Sequence, residues 1–236
     1  MRVQGGLQPE DWLQWGQFTT FKRNAATLLE RQVRANQIIY CSPLVDPYQP
    51  GEESERLMPR ILAILIRHPP KVFVIQTRSP LVSRDCDLLV ALAQLTRVRI
   101  SFSITTNLEE VRRLYEPRCA SIRKRLDVMQ HLRAVGLDVY PTLAPLLPCN
   151  PEVLARKVLQ VTVNDVIGDP LHVRTTKKLG ATTADAGWKV SLQYGYSDWH
   201  NPARQEEIVK RIGQVVSTAG RRFYVGTKGF GRLAIP

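Results

Sequence analysis

Short runs rich in β-branched residues alternate along this chain with amphipathic stretches, and that alternation most limits the folds open to it. Gln37 to Cys41, Val72 to Gln76, Val98 to Ile104 and Leu137 to Leu143 have the length and residue types of buried strands. Between them, Arg56 to Arg67, Arg84 to Thr96 and Ser121 to Val135 place leucine, isoleucine and valine at helical spacing, and Gly136 follows the last as a helix stop. An earlier helix, Ala25 to Arg34, comes after an expected strand at Phe18 to Lys22. Strand and helix thus repeat roughly every 30 residues, the size of one βαβ step. Such crossovers join parallel strands, so the reading is an α/β fold on a parallel sheet. The loops leaving parallel strands gather at one end, where ligands bind. Those loops here are Ser42 to Glu53, Thr77 to Arg84, Ser103 to Asn107 and Pro145 to Asn150, and they hold the chemically unusual residues.

The later chain is less regular. Pro151 to Gln160 reads as a helix, Val161 to Val166 as a strand, and Pro202 to Val216 as an amphipathic helix with Asn201 at its N-cap and Pro202 in its first turn. Gly168 to Trp199 mixes Lys177 and Lys178 with Trp188, Tyr194, Tyr196 and Trp199. That mixture could stack bases, but the expected role is the aromatic core of a small packed subdomain.

Composition narrows the partners. Lysine and arginine number 33 against 21 acidic residues, a formal charge of +12, which nominates nucleic acid as a partner and leaves a merely basic protein as the alternative. The longest apolar run, Ile61 to Ile66, is far shorter than the roughly 20 residues a membrane span needs. Residues 1–6 carry no apolar secretory run, so a cytoplasmic location is expected. Cys41, Cys86, Cys119 and Cys149 lie 30 or more residues apart and spell no local metal site; small, partly buried thiols are the expected role.

One segment is more specific. Asp46-Pro47-Tyr48-Gln49-Pro50-Gly51-Glu52 resembles the Asp-Pro-Tyr-Gln-Pro-x-Glu signature of the spore photoproduct lyase-like group of radical S-adenosylmethionine enzymes. It is followed in order by Thr77-Arg78-Ser79 with Leu81, Arg84 and Asp85, by Ser103 to Thr106, by Glu116-Pro117-Arg118, by Arg125-Leu126 and by Ala144 to Pro148. Lys22, Asn24, Ala25, Leu28 and Leu29 match upstream, so the likeness runs from about residue 15 to 150.

The resemblance implies a partial (β/α)6 barrel of parallel strands that holds S-adenosylmethionine and a [4Fe-4S] cluster at its strand exits. It implies that Glu52 accepts hydrogen bonds from the cofactor's amino group, that Arg78 or Ser79 binds its carboxylate, that Ser103 binds its ribose, and that the backbone around Leu146 holds the adenine. Each residue also has a plain structural role: Glu52 and Glu53 as helix caps, Ser79-Pro80 as a turn before Leu81, and Ser103 as a strand hydroxyl. No catalytic residue or hydrogen donor is transferable; Cys86, Cys119, Cys149 and the tyrosines all stay open.

The departures are as informative. Residues 1–40 contain no cysteine, so the family's Cys-x-x-x-Cys-x-x-Cys loop is missing and no metal ligand is assigned. The expectation is a fragment or misplaced start, lacking the first strand and cluster loop; a degenerate barrel that binds nucleic acid through its charge is the alternative. Val45, Arg78 and Cys149 also stand where the family commonly has other residues. The expected layout is a loosely packed segment over 1–17, carrying Trp12 and Trp15, a barrel over 18–166 and a C-terminal extension over 167–236. Oligomeric state and substrate are open.

Overall fold

The computed structural model describes residues 20–41, 44–173, 175, 177, 182 and 185–236. The expected 1–17 segment with Trp12 and Trp15, and Lys178, lie outside the described residues. Six strands form one parallel sheet in sequence order: β1 (Ile38–Cys41), β2 (Val72–Thr77), β3 (Arg97–Ser103), β4 (Asp138–Leu146), β5 (Val166–Pro170) and β6 (Phe223–Val225). Every neighbouring pair is parallel, with Ile38 opposite Val72, Val72 opposite Arg97, Arg99 opposite Asp138, Thr142 opposite Ile167 and Val166 opposite Phe223. The sheet does not close. The α/β architecture and open parallel sheet expected from the alternation are present.

Helices α1 (Ala25–Gln32), α2 (Glu52–Glu55), α3 (Leu57–Arg67), α4 (Cys86–Ala93), α5 (Glu109–Tyr115), α6 (Ile122–Ala134), α7 (Pro151–Val161), α8 (Asp185–Gln193), α9 (Pro202–Thr218) and α10 (Gly226–Arg232) fill the connections. Period-2 alternation assigns the two sheet faces. Phe73, Ile75, Ile100, Phe102 and Val139 point to the outer face and join one core with Leu62 and Leu65 of α3, Leu89 and Leu92 of α4, Met129 and Leu132 of α6, Leu154 and Val158 of α7, and Ile208 and Ile212 of α9. A side chain of this kind stabilises the fold by about 2 kcal/mol when fully buried. The inner face carries Val72, Val74, Tyr40, Tyr140 and Ile167, covered by Phe230 of α10 and Leu233 beyond it. Parallel sheets need cover on both faces, and here the last ten residues cover the lower part of the inner one.

Local signals set the boundaries. Ser121 caps α6 by accepting from Lys124 N at 3.2 Å, and Gly136 ends that unit at φ +88°, a conformation that L side chains resist. Asn150 accepts from Val153 N at 3.0 Å and Asn201 from Ala203 N at 2.9 Å, each ahead of a first-turn proline.

Three expectations change. Residues 20–24 are irregular and turn into α1, so the described part of Phe18 to Lys22 is not a strand. The strand expected over Val161 to Val166 begins only at Val166, because α7 runs through Val161 and Thr162 then bonds Val139 O at 2.6 Å to start the turn. Arg84 to Thr96 opens with a 3-10 turn, Pro80–Asp85, before α4. Residues 167–236 supply most of β5 and all of β6 to the same sheet.

Attachment of α10 depends on Gly229. A Cβ there would lie 2.9 Å from Tyr224 O and 3.1 Å from Ile167 Cγ2. We expect Gly229→Ala to push α10 off the sheet and cost about 2 kcal/mol, as overpacking does; thermal unfolding would show it, with Gly231→Ala, which meets nothing, as the neutral comparison.

Candidate cofactor-binding site

The loop leaving β1 is fastened by two carboxylates. Asp46 Oδ1 accepts from Tyr48 N at 2.9 Å and Thr77 Oγ1 at 2.7 Å, while Oδ2 accepts from Arg78 N at 2.8 Å, so this loop is clamped onto the exit of β2. Glu52 turns inward at 1% exposure. Its oxygens accept from Leu57 N at 3.0 Å and Met58 N at 2.8 Å, the orphan donors at the start of α3, and from Arg84 Nη2 at 2.9 Å. Arg84 also donates to Glu52 O and to both Asp85 oxygens. Between α2 and α3 the chain passes through Arg56 at φ +48°, a left-handed turn for a non-glycine residue that the Glu52 cap holds in place.

A third carboxylate ties the next exits together. Glu116 Oε1 pairs with Arg78 Nη1 at 2.5 Å and Oε2 with Arg125 Nη2 at 2.7 Å. Arg125 is 1% exposed and completes its bonding with Ala120 O at 3.1 Å and Ser103 O at 3.4 Å. Burial alone would raise the Glu116 carboxyl; Arg78 and Arg125 outweigh it and hold it below the ordinary carboxylate range. Charges this deep persist because each is paired and hydrogen-bonded.

The five sequence-predicted residues all lie at the strand exits, in different settings. Glu52 is engaged as the α3 cap and Arg84 partner. Arg78, with 31% of its side chain exposed, leans on Glu116. Ser79 Oγ accepts from Leu81 N at 3.3 Å and starts the 3-10 turn. Ser103 ends β3 on the inner face at 1% exposure. Leu146 ends β4, buried, and its carbonyl accepts from Trp199 Nε1 at 2.9 Å. Arg78 and Ser103 are joined through Glu116 and Arg125; Glu52, Ser79 and Leu146 bond to other groups.

Sequence reasoning passed over the polar row below these exits. On the inner face Tyr40 Oη donates to Gln76 Oε1 at 3.2 Å, and Ser101 and Thr142 share a hydrogen bond of 2.6 Å. Burial pushes the Tyr40 phenol up to about 12. The signal was available as alternation: Tyr40, Gln76, Ser101 and Thr142 interrupt the apolar runs on one face only. Asp169 at the end of β5 was also missed. It accepts from Lys177 Nζ at 2.9 Å, His172 Nε2 at 3.4 Å and Thr182 Oγ1. Its burial would raise the carboxyl, and the bonds from His172, Thr182 and Lys177 hold it low instead.

These residues do not fit an iron-sulfur cluster. Cluster ligation needs thiolates. Burial pushes the Cys41 thiol up to about 12, with Asp46 adding to it, and Cys149 also up to about 12; burial raises Cys86 and Cys119 too. Among the described residues no three His, Cys, Asp or Glu side chains group as metal ligands.

A solved structure of a cysteine-to-serine mutant of spore photoproduct lyase superposes with a TM-score of 0.55 at 13% identity, over 86% of this chain and 64% of that one. The fold is similar to that of spore photoproduct lyase. No family model matches. The chain is 30% identical over 174 residues to an uncharacterized protein of Acidianus two-tailed virus, covering 68% of this chain and 56% of that protein. It is 29% identical over 131 residues to an uncharacterized protein of Mycobacterium tuberculosis, covering 54% of this chain and 38% of that one. An uncharacterized protein of Methanocaldococcus jannaschii is 27% identical over 134 residues, with 57% and 49% covered. The chain therefore spans between 38% and 56% of the length of these curated relatives. Among the described residues no helix is long and apolar enough to cross a membrane.

The Glu116 pairing has a signed pH consequence. Its folded carboxyl is depressed, so the stability it contributes is present above the unfolded value, about 4.3, and is lost as pH falls through the folded value. We expect Glu116→Gln, which strands Arg125, to cost about 3 kcal/mol at neutral pH, and the loss relative to the parent to shrink as the solution is acidified. Thermal unfolding followed across a pH series measures both.

Proposed function

We propose that this chain is the S-adenosylmethionine-holding part of a radical S-adenosylmethionine-type enzyme of the spore photoproduct lyase-like group. The observation that carries the reading is the interlocking of the signature: over about 80 residues of sequence, Asp46, Thr77, Arg78, Glu116 and Arg125 form one set of bonded groups at the strand exits and Glu52 with Arg84 and Asp85 a second. The fold likeness supports it at the level of architecture alone.

On this reading Arg78 extends its exposed guanidinium to the cofactor's carboxylate, Ser79 and Ser103 offer hydroxyls, and the backbone around Leu146 meets the adenine. Glu52 acts as a positioning residue, since its oxygens already hold the start of α3 and Arg84. Phe230 and Leu233 exclude water from beneath, so a ligand enters from the strand exits. A bound cluster would supply the electron for cleaving the cofactor; the described thiols do not fit one.

A second reading, a barrel without radical chemistry that binds nucleic acid through its charge, is favoured by the +12 formal charge.

Titration calorimetry with S-adenosylmethionine and with S-adenosylhomocysteine tests the first reading without any turnover. We expect both to bind at one site per chain and Ser103→Ala to weaken them several-fold, the worth of about one hydrogen bond. Absence of heat and of any thermal shift with either compound would sink the cofactor reading.

A further inference from the structure

The arginines at the two ends of the sheet are held in different ways. Because every strand is parallel, all strand N-termini and the C-termini of α1, α3, α6, α7 and α9 share one end of the sheet, the foot, opposite the candidate cofactor site. Helix C-termini attract cations, and three arginines answer that directly. Arg34 donates to Arg31 O and Val33 O after α1, Arg221 to Leu159 O and Thr162 O after α7, and Arg99 to Leu233 O and Ile235 O after α10.

Further cations at the foot have no such employment. Lys71, Arg97 and Arg133 are exposed, and among the described residues none has a hydrogen bond or ion pair from its side chain. Arg222 donates to Tyr224 Oη at 3.3 Å, and Arg232 lies 5.0 Å from the centre of the Tyr224 ring. At the strand exits, by contrast, Arg78, Arg84, Arg112 and Arg125 are all paired with carboxylates. In the middle of the foot, Arg97, Arg99 and Arg232 line one cavity of about 230 Å³ together with Tyr140, Tyr224, Asp165 and Pro236. Among the described residues none of those three arginines has a carboxylate within ion-pair distance. Three guanidinium groups around one cavity outnumber the Asp165 side-chain carboxylate that shares it, and a bound anion relieves their mutual repulsion.

We propose that the foot of the sheet, centred on the Arg97, Arg99 and Arg232 cavity, is a docking surface for the phosphodiester chain of single-stranded nucleic acid. Guanidinium forks match phosphate oxygens, and Tyr140 and Tyr224 place aromatic rings beside them, the pairing of cation and ring that strand-binding grooves use. The exposed cations Lys71, Arg133 and Arg222 extend beyond the cavity, which suits a chain of phosphates better than one small anion. This rests on the reading that the partner is nucleic acid and is independent of the cofactor reading.

The test is fluorescence anisotropy of a labelled single-stranded oligonucleotide with the full chain across a salt series. We expect binding whose log-log salt slope falls by about two in Arg97→Ala/Arg232→Ala, one per lost phosphate contact. Lys71→Ala/Arg133→Ala, which touches no packed group, should act in the same direction. Arg123→Ala/Lys124→Ala, the same charge removed from the start of α6 at the other end, should leave the slope unchanged. Binding that all three variants weaken alike would overturn the placement while leaving the nucleic-acid reading standing. Failure to bind at any salt would overturn both, as would equal competition by polyglutamate, which would mark an acidic protein partner. Saturation of the cavity by inorganic phosphate or AMP with no displacement of the oligonucleotide would assign the cavity to a small anion and overturn the proposal.

Discussion

A guanidinium group buried at the centre of this fold must be paired, and the pairing of Arg125 with Glu116 organises what surrounds it. Arg125 heads the largest fully buried side chains of the chain. Glu116 takes one of its nitrogens and Arg78 with its other oxygen, while Ala120 O and Ser103 O take the rest. One carboxylate therefore ties the exits of β2 and β3 to the start of α6. Leaving such a group unpaired costs several times what a surface ion pair contributes, so these loops have one arrangement and not several.

Asp46 and Glu52 extend the same logic to the first exit. Asp46 binds backbone and hydroxyl donors from β2, and Glu52 satisfies two helix-start amides that no backbone partner reaches. The acidic residues of the signature are thus spent largely on holding loops. What they present is a set of smaller groups: the exposed part of Arg78, the hydroxyls of Ser79 and Ser103, and the Tyr40, Gln76, Ser101 and Thr142 row beneath. A signature can mark a site by building its frame without touching its ligand, and similarity of fold speaks to that frame alone.

Charge is arranged by the same topology. At several helix ends the backbone dipole is answered: Glu109 and Glu110 open α5 and Glu152 opens α7, while Arg31, Arg67 and Arg133 close α1, α3 and α6. Arg34, Arg99 and Arg221 close helix ends by bonding main-chain carbonyls, which is how a chain of +12 keeps several of its guanidinium groups close to the core.

Much of the architecture was legible in the chain itself. Val72 to Gln76, Val98 to Ile104 and Leu137 to Leu143 are strands because β-branched runs of that length have few other uses, and Asn201-Pro202 and Gly136 mark helix ends through chemistry local to a few residues. The alternative roles of Glu52 as a cap and Ser79 as a turn residue could also be stated from sequence, since capping depends on near neighbours. Tertiary structure alone decided the rest. β6 is three residues long and α10 contains three glycines, so neither carries a periodic signal; they form because β5 offers an edge and Arg99, more than 130 residues away, offers a donor for the carbonyls after α10. The partners of Arg125 and the gathering of Arg97, Arg99 and Arg232 around one cavity are likewise absent from any local window. Sequence determined the longer strands and helices through periodicity and caps, whereas burial decided which charges must meet, because only the folded core removes the water that would otherwise satisfy them.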